Sequence, residues 1–227
     1  LFHMNLNNFL SKIYVFIFSF FPSNLNIFIS KLFKKLFDLN LESGYAKDFL
    51  ANLDIQGVKF SLLLMGGDKQ AQSVYRPLHN KKKTYEVIII KLLMNIIDKK
   101  EYRNFLDIGS FMGYYSCFLS KYSNSINVSS IESNSKYISY IKNSLKINNL
   151  TNVNVYNEIL SDTVEDMYFY KEGVYKVQNE KLNYEHKKSK TLDDLCSENN
   201  IKPEVIKIDV HGAERKVFKG GEKILKE

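Results

Sequence analysis

Positions 105 to 116 read FLDIGSFMGYYS, and this stretch narrows the fold more than any other part of the chain. An apolar run ends in Asp107-Ile108-Gly109, and Gly113 follows after three intervening residues. Gly109 lets the backbone turn tightly where a Cβ would obstruct it, and Gly113 lets the start of a helix approach a ligand closely. The spacing is D-x-G-x-x-x-G, not the G-x-G-x-x-G dinucleotide fingerprint. That difference suits a cofactor with an amino-acid group and no pyrophosphate; a plain structural turn is the competing reading. Glu132 sharpens the choice. It closes the apolar run Val128 to Ile131, about 20 residues after the turn, where an acidic side chain accepts hydrogen bonds from both hydroxyls of an adenosine ribose. An exposed carboxylate at a strand end is the alternative.

The rhythm around this turn is strand, helix, strand. Phe105 to Ile108 predicts a short strand, Tyr114 to Tyr122 a helix, Val128 to Ile131 a second strand, and Ser135 to about Ile147 a second helix. Val153 to Tyr156 makes a third strand. Met167 to Tyr170 and Val174 to Val177 predict a hairpin around Gly173, and Leu192 to Leu195 begins a short helix. Val205 to Val210 is a fourth, largely apolar strand of the kind buried on both faces of a parallel sheet. The alternation predicts an α/β, doubly wound sheet over residues 84–227.

Upstream the composition changes. Ile13 to Phe21 (IYVFIFSFF) is apolar and aromatic, and Pro22 breaks it. Such a run is too short for a bilayer, which needs about 20 residues. Lys12 precedes it as in a secretory signal, but no small-residue cleavage site follows. From Leu25 to Phe37 apolar residues alternate with Lys31, Lys34 and Lys35, giving an apolar and a basic helix face. Residues 1–45 are therefore expected to be helical. They either pack on the core or make peripheral membrane contact through residues 1–40 as an interfacial anchor, with cleaved targeting as a third reading. Residues 46–83 are expected to connect: Val58 to Met65 as a strand stopped by Gly66-Gly67, then Asp68 to Lys83 as a solvated loop. Thr84 then reads as the N-cap of a helix with an apolar stripe of Val87, Ile88, Ile90, Leu92, Leu93, Ile96 and Ile97.

A chain of 227 residues, 44% hydrophobic and 25% charged, suits one soluble α/β domain with an appendage. Cys117 and Cys196 lie in separate segments without metal-ligand spacing, and read as free thiols of a reducing cytoplasm. The net charge of +7 admits nucleic acid, anionic lipid or an acidic substrate as partner. Arginine, the better phosphate reader, is limited to Arg76, Arg103 and Arg215, far apart in sequence, so nucleic acid is not the expected partner. The expected location is cytoplasmic, at the inner face of the membrane if residues 1–40 anchor the chain.

Over roughly residues 84 to 227 the sequence resembles the FkbM-type methyltransferases. The resemblance rests on Asp107-Ile-Gly109-x-x-x-Gly113-Tyr114-Tyr115-Ser116, Glu132, Asn143 and Asn148. It continues through Ile159-Leu160-Ser161-Asp162, Thr191-Leu192-Asp193-Asp194-Leu195 and Lys207-Ile208-Asp209-Val210-His211-Gly212-Ala213-Glu214. It implies a Rossmann-like class I methyltransferase sheet and S-adenosylmethionine as cofactor, held by Asp107, Gly109, Ser110, Gly113, Tyr114, Glu132, Ser133, Ser161 and Asp162. It also implies O-methylation of a hydroxyl on a sugar, glycolipid or related small molecule. Three positions depart from the family pattern. Ser110-Phe111 stands in place of Ala-Asn and Glu132-Ser133 in place of Glu-Pro, both in the cofactor loop, and His211 replaces a Glu nearer the acceptor.

Asp209, near the end of the fourth strand, lies where open α/β sheets bind ligands and can orient or help deprotonate an acceptor hydroxyl. His211 is the second candidate catalytic residue, a base with an unperturbed pKa near neutrality; a surface histidine without a task is the bland reading. Two ligands are too few for a metal site. By strand alternation Lys207 shares the face of Asp209, and a buried pair between them is expected. Methyl transfer from a sulfonium is an in-line displacement governed by positioning and desolvation, so no Ser-His-Asp or Cys-His constellation is required. An RNA methyltransferase and a non-catalytic methyltransferase-like domain are the rival readings. The place of the N/D-P-P-Y/F turn of base-nitrogen methyltransferases here reads DVHG. The sequence after Val210 offers no fifth strand, so the core is expected to be truncated after its fourth strand, which would be left with an unpaired edge.

Overall fold

The computed structural model describes residues 47–81, 85–170, 173–175 and 185–226. The expectations for residues 1–45, membrane contact included, and for Thr84 as a cap lie outside them. The first elements are two antiparallel strands, β1 (Phe49–Ile55) and β2 (Val58–Leu64). They are joined by Gln56-Gly57, both with positive φ, the left-handed two-residue turn that matches the twist of a hairpin. Ala51, Leu53 and Ile55 alternate with polar residues and bury on the same face as Phe60, Leu62 and Leu64.

Within the solvated loop expected from Asp68 to Lys83, the described part is instead largely helical, with a π turn at Ala71–Tyr75 followed by a 3-10 turn at Arg76–Lys81. The reason is burial: Ala71, Tyr75 and Leu78 enter the core. Helix α1 (Val87–Lys100) buries Ile90, Leu93 and Ile97, a narrower stripe than the sequence suggested, and leaves Ile88, Ile89 and Leu92 exposed.

The elements that follow are β3 (Asn104–Ile108), α2 (Tyr114–Tyr122), β4 (Asn127–Ile131), α3 (Ser135–Ile147) and β5 (Val153–Tyr156), each close to its expected bounds. Strand β6 (Ile159–Leu160), the hairpin β7 (Asp166–Tyr170) and β8 (Gly173–Tyr175), and β9 (Glu185–Lys190) make a second sheet in the order β6-β9-β7-β8. Strand β9 has the sequence EHKKSK, which carries no apolar signal; its strand character comes from pairing with β6 on one side and β7 on the other. Helix α4 (Leu192–Glu198) is capped by Thr191, whose hydroxyl accepts from Asp194 N–H at 3.0 Å. Strand β10 (Val205–Ile208) and helix α5 (Glu214–Lys219) complete the described chain.

The main sheet has the order β10-β3-β4-β5 with every pair parallel. Its two faces are covered differently. Phe105 and Val128 point toward α1, α2 and α3 and the hairpin outside them, whereas Leu106, Ile108 and Ile131 point toward Leu192, Leu195, Cys196 and Val217 of α4 and α5. Helices on both faces of a parallel sheet are the Rossmann-like arrangement. β3 is buried between two neighbours, whereas β10 stands at the sheet edge and is only half-buried along its length. Among the described residues no helix is long and apolar enough to cross a membrane.

Candidate functional site

Residues 109 to 113 connect β3 to α2 at the carboxyl edge of the sheet. Gly109 (φ 76°), Phe111 (φ 51°) and Gly113 (φ 79°) all adopt left-handed conformations. Two of them are therefore glycine for a conformational reason. At Gly109 there is also a steric one, because a Cβ would lie 1.9 Å from the Asp209 carbonyl oxygen. The turn is stitched to β4: Gly109 and Ser110 N–H both donate to the Ile131 carbonyl, at 2.9 and 3.0 Å, and Gly113 N–H donates to the Ser110 carbonyl.

Glu132 faces the same turn. Its carboxylate accepts Phe111 N–H and Asn134 N–H, each at 2.8 Å, and the Ser133 hydroxyl at 3.3 Å. Burial pushes the Glu132 carboxyl above the usual carboxylate range, and these donors pull it partly back. The arrangement fits a ribose. A buried carboxylate whose partners are neutral donors can exchange its longest contact, the Ser133 hydroxyl, for a ribose O–H. Behind it, Asn157 donates its amide to the Glu132 and Ser133 carbonyls at 2.8 and 3.0 Å, and Lys187 of β9 donates to the Asn157 side chain. Neither Asn157 nor Lys187 was legible as a site residue, because their roles run through carbonyls and through a strand the sequence does not announce.

Phe111, the departure from the family's small polar residue, turns its ring into an aromatic cluster. It lies 4.6 Å from the Tyr137 ring and stacks on Tyr75 at 5.8 Å. Tyr114 belongs to that cluster too. It is buried, with its hydroxyl on the Tyr85 carbonyl at 3.3 Å, and so shapes the turn from beneath. Tyr75, at the end of the π turn, thus lies against the Gly109–Gly113 turn.

Asp107 is fully buried on β3. Ser116 of α2 donates to its Oδ2 at 2.7 Å, and the Lys207 Nζ of β10 lies 3.3 Å from its Oδ1. The expected Lys207–Asp209 pair is longer, at 3.9 Å. Lys207 and Asp107 are direct neighbours in the parallel register, whereas Asp209 lies beyond the strand end with its side chain 51% exposed. His211 is more exposed still, 73%, with Nδ1 3.9 Å from the Asp209 carboxylate. It occupies a left-handed turn position (φ 53°) followed by Gly212. Glu214 holds that turn by accepting Val210 and Gly212 N–H, and its own backbone N–H, with these two donors, keeps its carboxyl below the usual range.

The structure gathers Asp107, Gly109, Ser110, Gly113, Tyr114, Glu132 and Ser133 around the turn, with Asp209 and His211 on its β10 side. Ser161 and Asp162 are engaged elsewhere. Asp162 pairs with Lys219 at 3.2 Å, and the Ser161 carbonyl backs onto Gly220, whose Cβ position lies 2.1 Å from it. Their contacts therefore join β6 to the end of α5. Among the described residues no group of three or more His, Cys, Asp or Glu side chains is placed to hold a metal ion.

Residues 107–227 match the methyltransferase FkbM domain. No curated protein matches the sequence. Among solved structures, a Staphylococcus aureus protein described as a caffeoyl-CoA O-methyltransferase aligns at 27% identity and a TM-score of 0.28, over 33% of this chain and 37% of that one. The T. thermophilus 16S rRNA methyltransferase RsmC, solved with AdoMet and guanosine, aligns at 15% identity and a TM-score of 0.36, over 49% and 27%. The chain thus spans between a quarter and two fifths of the length of these structures.

Proposed function

The chain belongs to the methyltransferase FkbM family, and from that premise we propose that it transfers a methyl group from S-adenosylmethionine to a hydroxyl of a sugar, glycolipid or related small molecule. The observation that carries this reading is the left-handed Gly109–Gly113 turn facing the buried carboxylate of Glu132 at the carboxyl edge of a parallel sheet. Bound there, the cofactor supplies an electrophilic methyl on a sulfonium.

The chain's own part is binding and placement. Glu132 takes the ribose hydroxyls, and the turn and Ser133 enclose the adenosine. Asp209, exposed at the mouth beside the turn, accepts a hydrogen bond from the acceptor hydroxyl and orients it. His211 stands next to that carboxylate, positioned to receive the proton as the hydroxyl is consumed.

Calorimetric titration with S-adenosylmethionine tests the cofactor half. Glu132→Ala should weaken binding by about 1.5–3 kcal/mol, the range for a charge-assisted hydrogen bond. Unchanged affinity overturns the ribose assignment, and no binding by the parent chain overturns the whole reading. Label transfer from methyl-tritiated cofactor to extracted glycolipids, polysaccharide and RNA tests the acceptor. Label in the RNA alone would move the acceptor class to nucleic acid, and cofactor binding without transfer to any pool would identify a non-catalytic domain.

A further inference from the structure

We propose that Lys207 is a positioning residue that locks one peptide plane of the cofactor turn. Lys207 is mostly buried, its side chain 16% exposed, under the Tyr115 ring at 5.1 Å. Its Nζ donates to the Gly109 carbonyl at 3.3 Å, lies 3.3 Å from Asp107 Oδ1, and reaches toward Asp209 at 3.9 Å. It therefore touches the strand before the turn, the turn itself and the exposed carboxylate beyond it.

The Gly109 carbonyl and the Ser110 N–H belong to the same peptide unit. Lys207 holds the first, and the Ile131 carbonyl holds the second at 3.0 Å. Reorienting that unit turns ψ of Gly109 and φ of Ser110, and at Gly109 the missing Cβ leaves ψ a wide range that a side chain would forbid. Fixing both ends of that unit keeps the Ser110 and Phe111 N–H groups aimed at β4 and at Glu132. Without the ammonium the carbonyl end is free to swing. The alternative is that Lys207 only balances the buried charge of Asp107, which any neutral pair would do equally well.

The inference rests on the cofactor reading above, and its test has a readout that does not. Amide hydrogen exchange across residues 109–113 is measured on the ligand-free 227-residue chain, beside calorimetry with S-adenosylmethionine. The variants are Lys207→Met, Lys207→Arg and the neutral pair Lys207→Met with Asp107→Asn. The neutral pair removes the buried unpaired carboxylate, so it should melt near the parent. Its turn should nevertheless exchange faster by on the order of tenfold, with a similar loss in cofactor affinity, as for the loss of a charged hydrogen-bond donor. Lys207→Arg should restore part of both. Recovery of turn protection by the neutral pair would reduce Lys207 to a counter-charge and overturn the proposal. So would an unchanged turn in Lys207→Met, or failure of both methionine variants to fold. If the parent does not bind S-adenosylmethionine, the functional reading falls, and the exchange result still decides the role of Lys207.

Discussion

Gly109 and Gly113 are the same residue type in the same turn, yet their replacement should cost different amounts. An alanine Cβ at 109 would meet backbone, the Asp209 carbonyl at 1.9 Å, whereas at 113 it would meet the Ile141 side chain at 3.3 Å. Both variants carry the left-handed strain of about 1–2 kcal/mol. Only Gly109→Ala adds an overpacking term of about 1–3 kcal/mol, because the backbone at Asp209, just past β10, must shift. Thermal or urea melts of the two variants should rank Gly109→Ala clearly below Gly113→Ala, and equal midpoints would show that the segment after β10 yields freely. Glu132 gives a pH signature. Its raised pKa means that the folded chain keeps a proton the unfolded chain has already released. Its contribution to stability is therefore full below the ordinary glutamate pKa and is lost as pH rises through the folded value. The advantage of the parent over Glu132→Ala should shrink across that window. Carbon-13 titration of the Glu132 carboxyl should fall above the other glutamates, and a midpoint at or below them would contradict the burial argument.

The hairpin β1–β2 shows how one element is held by side chains of another. Asn148, just past α3, accepts Ser61 N–H at 2.8 Å and donates to the Ser61 carbonyl at 2.7 Å. One turn earlier, the Ser144 hydroxyl accepts Leu63 N–H at 2.9 Å. The open edge of β2 is thus paired to a helix end rather than to a strand, which also protects it from other chains. Asn148→Ala leaves these groups without partners and should cost about 1–3 kcal/mol, measurable as a lower urea midpoint with little change in slope. Asn148 was visible in the sequence only as part of a motif; its task depends on a hairpin some ninety positions earlier in the chain. Strand β9 was invisible for a related reason. Its residues are polar, Ser189 alone among 186–190 being fully buried, and pairing on both sides rather than side-chain pattern makes it a strand.

For the molecule as a whole, the two thiols report on cooperativity. Cys117 lies on α2 and Cys196 on α4, on opposite faces of the sheet and both buried, and burial pushes the Cys117 thiol far above its usual range. Neither should react with a thiol reagent until the fold opens. Their modification rates should rise together across a denaturant series if the two faces of the sheet unfold as one unit, and separate rates would reveal two.

The core alternation from Phe105 to Val210, the glycine turn, the acidic strand end and the Rossmann-like class were set by the sequence alone. Each is a local matter: apolar periodicity, a conformation only glycine takes cheaply, and a carboxylate at a fixed distance along the chain. Tertiary structure decided what those residues touch. Lys207 chose Asp107 over Asp209 because the parallel register makes the first its direct neighbour. Residues 71–81 became helical because Tyr75 and Leu78 found a core that a polar stretch does not advertise. Ser161 and Asp162 were drawn to the end of α5 by packing against Gly220 and a charge on Lys219. Pairing across distant segments depends on which surfaces meet after the chain collapses, and no window of sequence contains both partners.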